Sequence, residues 1–597
     1  MSQHRSRILS LLVLTMAGPA IAQEVVVPPA AVTEARPGPA VSTLLDSALR
    51  DREQRFDATA GLMTSRVGGP GYHTRLPKDQ LVHGTKDNAD YAHLLLLRGQ
   101  PEDVARASVI LDHLLTLQNT DPASPNVGLW DWFAEEAPSQ MAPADQNWAD
   151  FIGARLVEIL VAHEARLAPE LAARMRTALG LATRLIVRRN VGPEYTNICT
   201  MGAAVCLGAG RVLQDADLVA YGRRRIAAQR AACEANGGVP EYNSPHYTTI
   251  LLQELERILR VSDDAPARAD AEWMHQRIWT LIADQFHPGT GQWSGARSRT
   301  YNDQLRSTQA LFLWQRTGVA PRGAARMSFA AGPDDLQDLT EVRCPPALVA
   351  RFQALPSDPY EMTQTWMPAT PTTPGAVLHT WFSEGATLGS ATQASTWNQQ
   401  RPLVGYWRAQ EGVAILRLRL LKDDKDFASG VVRTAHQGPR LLAVLGLAAG
   451  QGDWHPTIDR PADGSFTARD LRLRLSLDAK DARIAGIAAV GWTLTAGDHR
   501  LVAHLGEARF DGQLAPWEAG EHEGGVHIDA VLHHGEARTF APTTVAETMA
   551  GLGLELLDLN EVPNTNPVTS TVADGRRTWT WAGVSASVTA PVRVAMP

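Results

Sequence analysis

Four cysteines are all that 597 residues carry, lysine supplies only five of the 56 basic side chains, and no low-complexity tract or internal repeat stands out. Each scarcity excludes something. Cys199 and Cys206 lie seven apart in a helical pattern, a rise of about 10 Å that exceeds the ~7 Å a disulfide can span. They cannot pair with each other. Cys233, on the next helix, is the alternative partner, and buried free thiols are the expected state. None of the four shows zinc-ligand spacing, so no metal or cofactor is expected. The net charge of −8 removes nucleic acid as a bulk electrostatic partner and means that an anionic ligand needs a locally basic site. Beyond the N-terminus no segment reaches roughly 18 uninterrupted apolar residues, so no membrane partner is expected.

What is present begins with a secretory signal over 1–22. His4, Arg5 and Arg7 precede an apolar run at 8–17, and Ala20-Ile21-Ala22 forms a small-x-small cleavage site. Gln23 follows the expected cut where a lipid anchor would need cysteine. The expectation is a soluble, periplasmic or secreted protein. Some 575 residues then remain, roughly, more than one hydrophobic core usually serves.

Two periods divide that length. From 41 to 319 apolar residues recur near 3.6, clearest at Ile152, Leu156, Ile159 and Leu160. Short Gly, Pro and Asp breaks predict antiparallel helical hairpins that close into a ring around a groove. Prolines crowd 320–375 and periodicity fades, which predicts a surface linker open to proteolysis. From 376 to 597 the period becomes two: Leu471, Leu473, Leu475 and Leu477 alternate with Arg472, Arg474 and Ser476. Asp-Gly turns at 463–464, 511–512 and 574–575 complete the pattern of an antiparallel β-sandwich. The fold class is therefore multidomain, α then β.

Chemistry-bearing side chains concentrate in four places in the helical half. The densest is 237–247, GGVPEYNSPHY, where Glu241, Tyr242, Asn243, His246 and Tyr247 meet a helix entrance that Ser244 and Pro245 can cap. The second is 128–148, with Trp130, Asp131, Trp132, Glu135, Glu136, Asn147 and Trp148; exposed tryptophans among amides suit stacking on sugar rings, and core packing is the plain alternative. The third is Glu194-Tyr195-Thr196-Asn197, where Asn197 alone reads as a helix cap. The fourth is 294–306, with Arg297, Arg299, Tyr301, Asn302, Asp303 and Arg306. About fifty residues separate Asn197 from His246 and His246 from Arg297, room for one helical hairpin each. A further stretch, 387–407, carries Trp397, Asn398, Gln400, Arg401 and Trp407; it either reaches the groove or joins the domains.

Asn, His, Tyr and Arg together suit one reaction, β-elimination on a uronic-acid polymer. The C5 carboxyl must be neutralised by an amide or arginine where enolate charge develops. Histidine titrates near neutrality and suits the base. Tyrosine can protonate the departing O4. With these residues in this order, the chain resembles the polysaccharide lyases that join an (α/α) toroid to antiparallel β-sheet domains, the chondroitin, hyaluronan, alginate and heparinase-type lyases. The resemblance implies that Asn197 neutralises the carboxyl, that the His246 loop bears the base, and that Arg297-Ser298-Arg299 is the arginine element. It also implies that Asn147-Trp148, followed by Ile152-Gly153, is the early Asn-Trp element. Tyr247 directly follows His246, closer than in several relatives, so Tyr247, Tyr242 and Tyr301 all stand as the acid. Trp130, Trp132, Asn147, Trp148, Tyr242, Asn243 and Arg401 are the expected sugar-binding residues, and the expected partner is an anionic polysaccharide.

A glycoside hydrolase on the same ring would instead need two carboxylates about 5–9.5 Å apart, from Glu241 with Asp303 or Asp131 with Glu136. A non-catalytic glycan-binding protein would need the tryptophans alone. On the lyase reading Glu241→Gln is expected to be mild.

Overall fold

The computed structural model describes residues 38–68, 73–367, 375–448, 452–455, 459–487, 491–542 and 544–593. The expected signal segment and Pro368, Pro371 and Pro374 lie outside them. Among the described residues, ten α-helices of 11 residues or more fill the first half: α1 (Val41–Glu53), α2 (Thr85–Arg98), α3 (Pro101–Thr116), α4 (Trp148–Ala162), α5 (Pro169–Arg189), α6 (Thr196–Leu213), α7 (Ala216–Asn236), α8 (Pro245–Val261), α9 (Ala265–Gln285) and α10 (Ser307–Thr317). Their ends follow local chemistry. Ser244 accepts from Tyr247 N to cap α8, with Pro245 in the first turn, and Asp215 and Asp264 cap α7 and α9.

The even-numbered helices α2, α4, α6, α8 and α10 pack on one another in series, while α3, α5, α7 and α9 return outside them as hairpin partners. An inner layer needs apolar surface all round, an outer one a single stripe. Accordingly α4 and α6 are buried along nearly their whole length and α3 along one face. By length and composition α6 would suit a membrane span, yet 83% of it is buried within this layer. The small residues of α6 permit close approach: a Cβ at Gly208 would fall 2.2 Å from Val157 Cγ1 of α4 and 2.8 Å from Val261 Cγ2 of α8. All four cysteines are free and buried. Because each outer helix reverses the chain, the inner helices run the same way and their N-termini gather on one rim.

The region 320–375 departs from the expected surface linker. A turn at Pro333–Asp335 packs on both α10 and α2, and Asp334 enters a buried charge network. Its carboxylate accepts from Arg155 Nη1 and Nη2 (2.9 and 2.5 Å) and from Arg257 Nη2 (2.9 Å), while Arg155 also binds Asp90 (2.5 Å) and Glu158 (2.9 Å). Those guanidiniums hold Asp334 well below the usual carboxylate range, against the desolvation that opposes them. Cys344 and Phe352 are buried in the core of the helical half, and Tyr360–Met367 is already a strand paired with Ala376–Phe382. Fading periodicity here marks irregular chain anchored by a few buried residues. The sheet-rich half therefore starts at Tyr360, before the expected 376.

That half holds a nine-stranded and an eight-stranded antiparallel sheet, counted among the described residues. They face each other across one core that includes Leu416, Leu418, Leu471, Leu473, Leu475 and Leu477 from one sheet and Leu441, Ala443, Leu445, Leu501 and Leu552 from the other, a sandwich. Strand Arg440–Leu447 is buried on both faces: Leu442 and Val444 point away from that core onto Trp579 of a small three-stranded sheet and Trp581 just after its middle strand. This third layer was not anticipated. The halves meet where Gly389 backs onto Gly295; a Cβ on Gly389 would lie 2.5 Å from Gly295 Cα. Gly295 itself has φ +84°, the left-handed region.

Removing Asp334 would take a shared carboxylate from two buried guanidiniums and leave their charge less fully matched. Asp334→Ala should lower unfolding free energy by about 3–5 kcal/mol, read by urea denaturation of the full chain; an unchanged midpoint would show that the ring does not depend on this plug.

Candidate active site

The site is built where the N-terminal rim of the inner helices meets the sheet-rich half. Contacts run around the rim: Trp148 Nε1 donates to Thr85 Oγ1 (2.9 Å), joining α4 to α2. Arg189 Nη2 donates to Asn147 Oδ1 (2.6 Å), and Asn147 Nδ2 reaches Tyr195 Oη at 3.5 Å, just before α6. Asn197 N donates to Glu241 Oε2 (3.0 Å), joining α6 to the loop before α8. Tyr247 and Tyr301 share a hydroxyl–hydroxyl hydrogen bond of 2.5 Å, joining α8 to the loop before α10.

The loop 297–303 is held by the sheet-rich half as an added strand would be. Arg297 and Arg401 exchange both backbone hydrogen bonds at 3.0 Å, and Thr300 N donates to Gln399 O at 2.6 Å. Arg401 and Arg417 both pair with the Asp303 carboxylate, and Tyr406 Oη donates to Asp303 O. These guanidiniums keep Asp303 below the usual carboxylate range, against burial. So held, the loop projects Arg299 inward. Arg299 Nη1 donates to Glu241 Oε1 (2.8 Å) and Nε to Gln399 Oε1 (3.0 Å). The guanidinium lies 4.3 Å from the Tyr247 ring centroid, 5.6 Å from Trp397 and 5.9 Å from Tyr195.

His246 stands edge-on to both tyrosines, with ring centroids 4.9 Å from Tyr247 and 5.4 Å from Tyr301. Its Nε2 is buried without a hydrogen-bond partner. Burial, with help from Arg299 and Arg306, lowers its pKa to about 4, so the imidazole is neutral at pH 7 and has a nitrogen lone pair to offer. Burial raises Tyr247 well above the ordinary tyrosine value despite Arg299. A neutral imidazole beside a protonated phenol is a base and an acid in contact. The phenol with outward access is Tyr301, which is only half-buried, whereas Tyr247 is enclosed.

His246, Tyr247, Arg299 and Tyr301 are thus brought together, and Asn197 joins them through its backbone N on Glu241, its Oδ1 accepting from Ile198 N. The others go elsewhere. Arg297 is enclosed, donating to Trp293 O, Asn302 O and Tyr406 Oη, so its role is to shape the loop. Asn243, at φ +49°, spends its amide on Ser294 O, Ala296 O and the Trp293 indole. Tyr242 bonds Gln285 in the core, which removes it both as the acid and as a sugar contact. Trp130 is fully buried, its indole donating to Leu114 O, and Trp132 is nearly so, donating to Asp145 Oδ2. Neither offers a free face to a sugar. Trp148, packed 5.0 Å from Trp132, keeps part of its surface. Asn147 lies on the rim with its carbonyl already committed to Arg189. Arg401 ties the domains, and Trp407 lies in the sandwich core, its indole donating to Ala496 O. Among the described residues no group of three metal-ligating side chains converges.

Two residues matter more than their sequence context suggested. Glu241 holds both the Asn197 backbone and Arg299, and Gln399 reaches Arg299 from the other half. Glu241 stood in the 237–247 cluster as a carboxylate for the hydrolase alternative, and Gln399 lies inside the 387–407 stretch, where its neighbours rather than itself drew notice.

Residues 42–338 match a family model described as "Domain of unknown function (DUF8769)". No curated protein matches significantly. Among solved structures the chain is similar to heparinase III, at 9% identity over 96% of this chain and 94% of that one, with a TM-score of 0.41. It is also similar to a chondroitin AC lyase of Streptomyces coelicolor A3, at 12% identity over 91% and 83%, TM-score 0.40. A heparinase III gene product aligns at 9% identity over 84% and 83%, TM-score 0.35.

Glu241→Gln, expected to be mild for turnover, has a separate consequence for stability, since it takes a carboxylate from the buried Arg299 guanidinium. That substitution should destabilise by about 3–5 kcal/mol; a loss of under ~1 kcal/mol in urea unfolding would mean that the pair is solvated. His246 makes a separate prediction. Its folded pKa of about 4 lies below the ordinary 6.5, so the unfolded chain takes up a proton that the folded one refuses. Its contribution to stability is full above pH 6.5 and is lost as pH falls toward 4. The imidazole resonances should therefore titrate near pH 4; a midpoint near 6.5 would contradict the burial.

Proposed function

We propose that this protein is an exported polysaccharide lyase that cleaves a uronic-acid-containing polysaccharide by β-elimination. The observation that carries the reading is the buried neutral His246, its Nε2 unpartnered, set against the Tyr247–Tyr301 hydroxyl pair. The two carboxylates nearest it by sequence logic, Glu241 and Asp303, are both committed to arginines. Export rests on the signal-like residues 1–22.

In the reaction His246 takes the proton from C5 of the uronate. The C5–H electron pair becomes the C4=C5 double bond, the C4–O4 bond breaks, and O4 receives a proton from Tyr301, resupplied through Tyr247. Asn197 stabilises the enolate-like carboxyl through its side-chain amide. The inner-helix N-termini that gather on this rim add positive potential where that charge develops. Exposed Arg306, at the entrance to α10, extends it.

A second reading is a hydrolase, favoured by one observation: burial and Glu136 push the Asp131 carboxyl up to about 7, as suits a general acid. A panel of uronate polymers, alginate, glucuronan and glycosaminoglycans among them, watched for ultraviolet absorbance from new double bonds, tests the proposal. Asn197→Ala, His246→Ala and Tyr247→Phe should each lower kcat on the order of 10²–10³-fold with little change in binding, and combining them should not multiply the losses. Asp131→Asn should leave turnover within about threefold. Activity lost with Asp131 and kept without His246 would select the hydrolase.

A further inference from the structure

Of sixteen tryptophans in the chain, one is exposed: Trp454, at 38%. It stands in a short turn of the sheet-rich half that is built rather than loose. Asp459 accepts from both Trp454 N (2.7 Å) and His455 N (3.0 Å). Ser429 Oγ donates to Gly452 O (2.9 Å), Ala428 N to Asp453 O (2.8 Å), and Lys422 pairs with Asp453 (2.7 Å). Gly452 is required by the tightness of the turn, because a Cβ there would meet His455 O at 1.8 Å.

This turn leads to the active site through rings. Trp454 packs edge-on to His455 at 5.8 Å, His455 edge-on to Trp397 at 5.1 Å, and Trp397 lies 5.6 Å from the Arg299 guanidinium. His455 is enclosed, so its work is to join the two indoles. Burying Trp454 would recover a large transfer free energy, yet five backbone and side-chain interactions hold it outward, three ring contacts away from Arg299.

We propose that Trp454 is a saccharide subsite, stacking its indole on the apolar face of a pyranose ring of the same polymer, away from the bond that breaks. This rests on the polysaccharide reading above. The sequence carried no motif for it, since Trp454-His455 lies between turns with no periodic context. A remote platform makes the enzyme length-sensitive: short oligosaccharides fill only the reacting positions, and longer ones gain the stacking contact.

Two measurements on the full chain test this. With size-graded oligosaccharides of a polymer the protein cleaves, Trp454→Ala should lower kcat/KM about tenfold on long chains, leave the shortest cleaved oligosaccharide unchanged, and be largely rescued by Trp454→Phe. Equal kcat/KM ratios at every length would overturn it. Independently, acrylamide should quench a fluorescence component that Trp454→Ala lacks, and an added polysaccharide should protect that component. Protection by a polymer that is never cleaved would keep the subsite while sinking the lyase assignment. No protection by uronate or neutral polysaccharides would overturn the subsite.

Discussion

The Arg299 guanidinium is the interaction on which the arrangement depends. It is 7% exposed and touches three separate parts of the chain: Tyr195 before α6, Glu241 and Tyr247 around the entrance to α8, and Gln399 with Trp397 in the sheet-rich half. A buried cation must be matched in charge and in hydrogen bonds, or it destabilises what encloses it. Meeting that demand fixes where Glu241 sits, and Glu241 in turn fixes the first turn of α6. The same cation helps keep His246 neutral. Stability and chemistry therefore draw on one charge, and the two halves of the molecule must both be present to form it.

Within the ring a second buried network does comparable work with no chemistry attached. Asp334 draws Arg155 of α4 and Arg257 of α8 together and closes the gap between α10 and α2. Beside this network the inner helices are held by apolar contact, closest at Gly208. A parallel inner layer follows, and with it a rim of helix N-termini. That rim offers positive potential in a chain whose net charge is negative.

Much of this was legible in the sequence. The 3.6 and 2.0 periods reported the helical and sheet-rich halves because burial of one face imposes them. The spacing of Asn197, His246 and Arg297 reported which loops meet on one rim, because each lies one hairpin beyond the last. What escaped was decided by partners distant in sequence. Trp130, Trp132, Asn243 and Arg297 looked like ligand-binding types, yet each spends its polar atoms on core carbonyls or side chains. The segment before 376 looked like a linker because a plug such as Asp334 has no period. Strand Arg440–Leu447, buried on both faces, gave no alternation to announce the third sheet layer.

The most direct test of an elimination at this site is the fate of solvent oxygen. A susceptible polymer digested in ¹⁸O-labelled water, with products read by mass spectrometry against an exchange control, separates the two chemistries. Elimination predicts unsaturated ends and no label introduced by cleavage. Saturated products whose new reducing ends carry ¹⁸O beyond the exchange control would contradict the account.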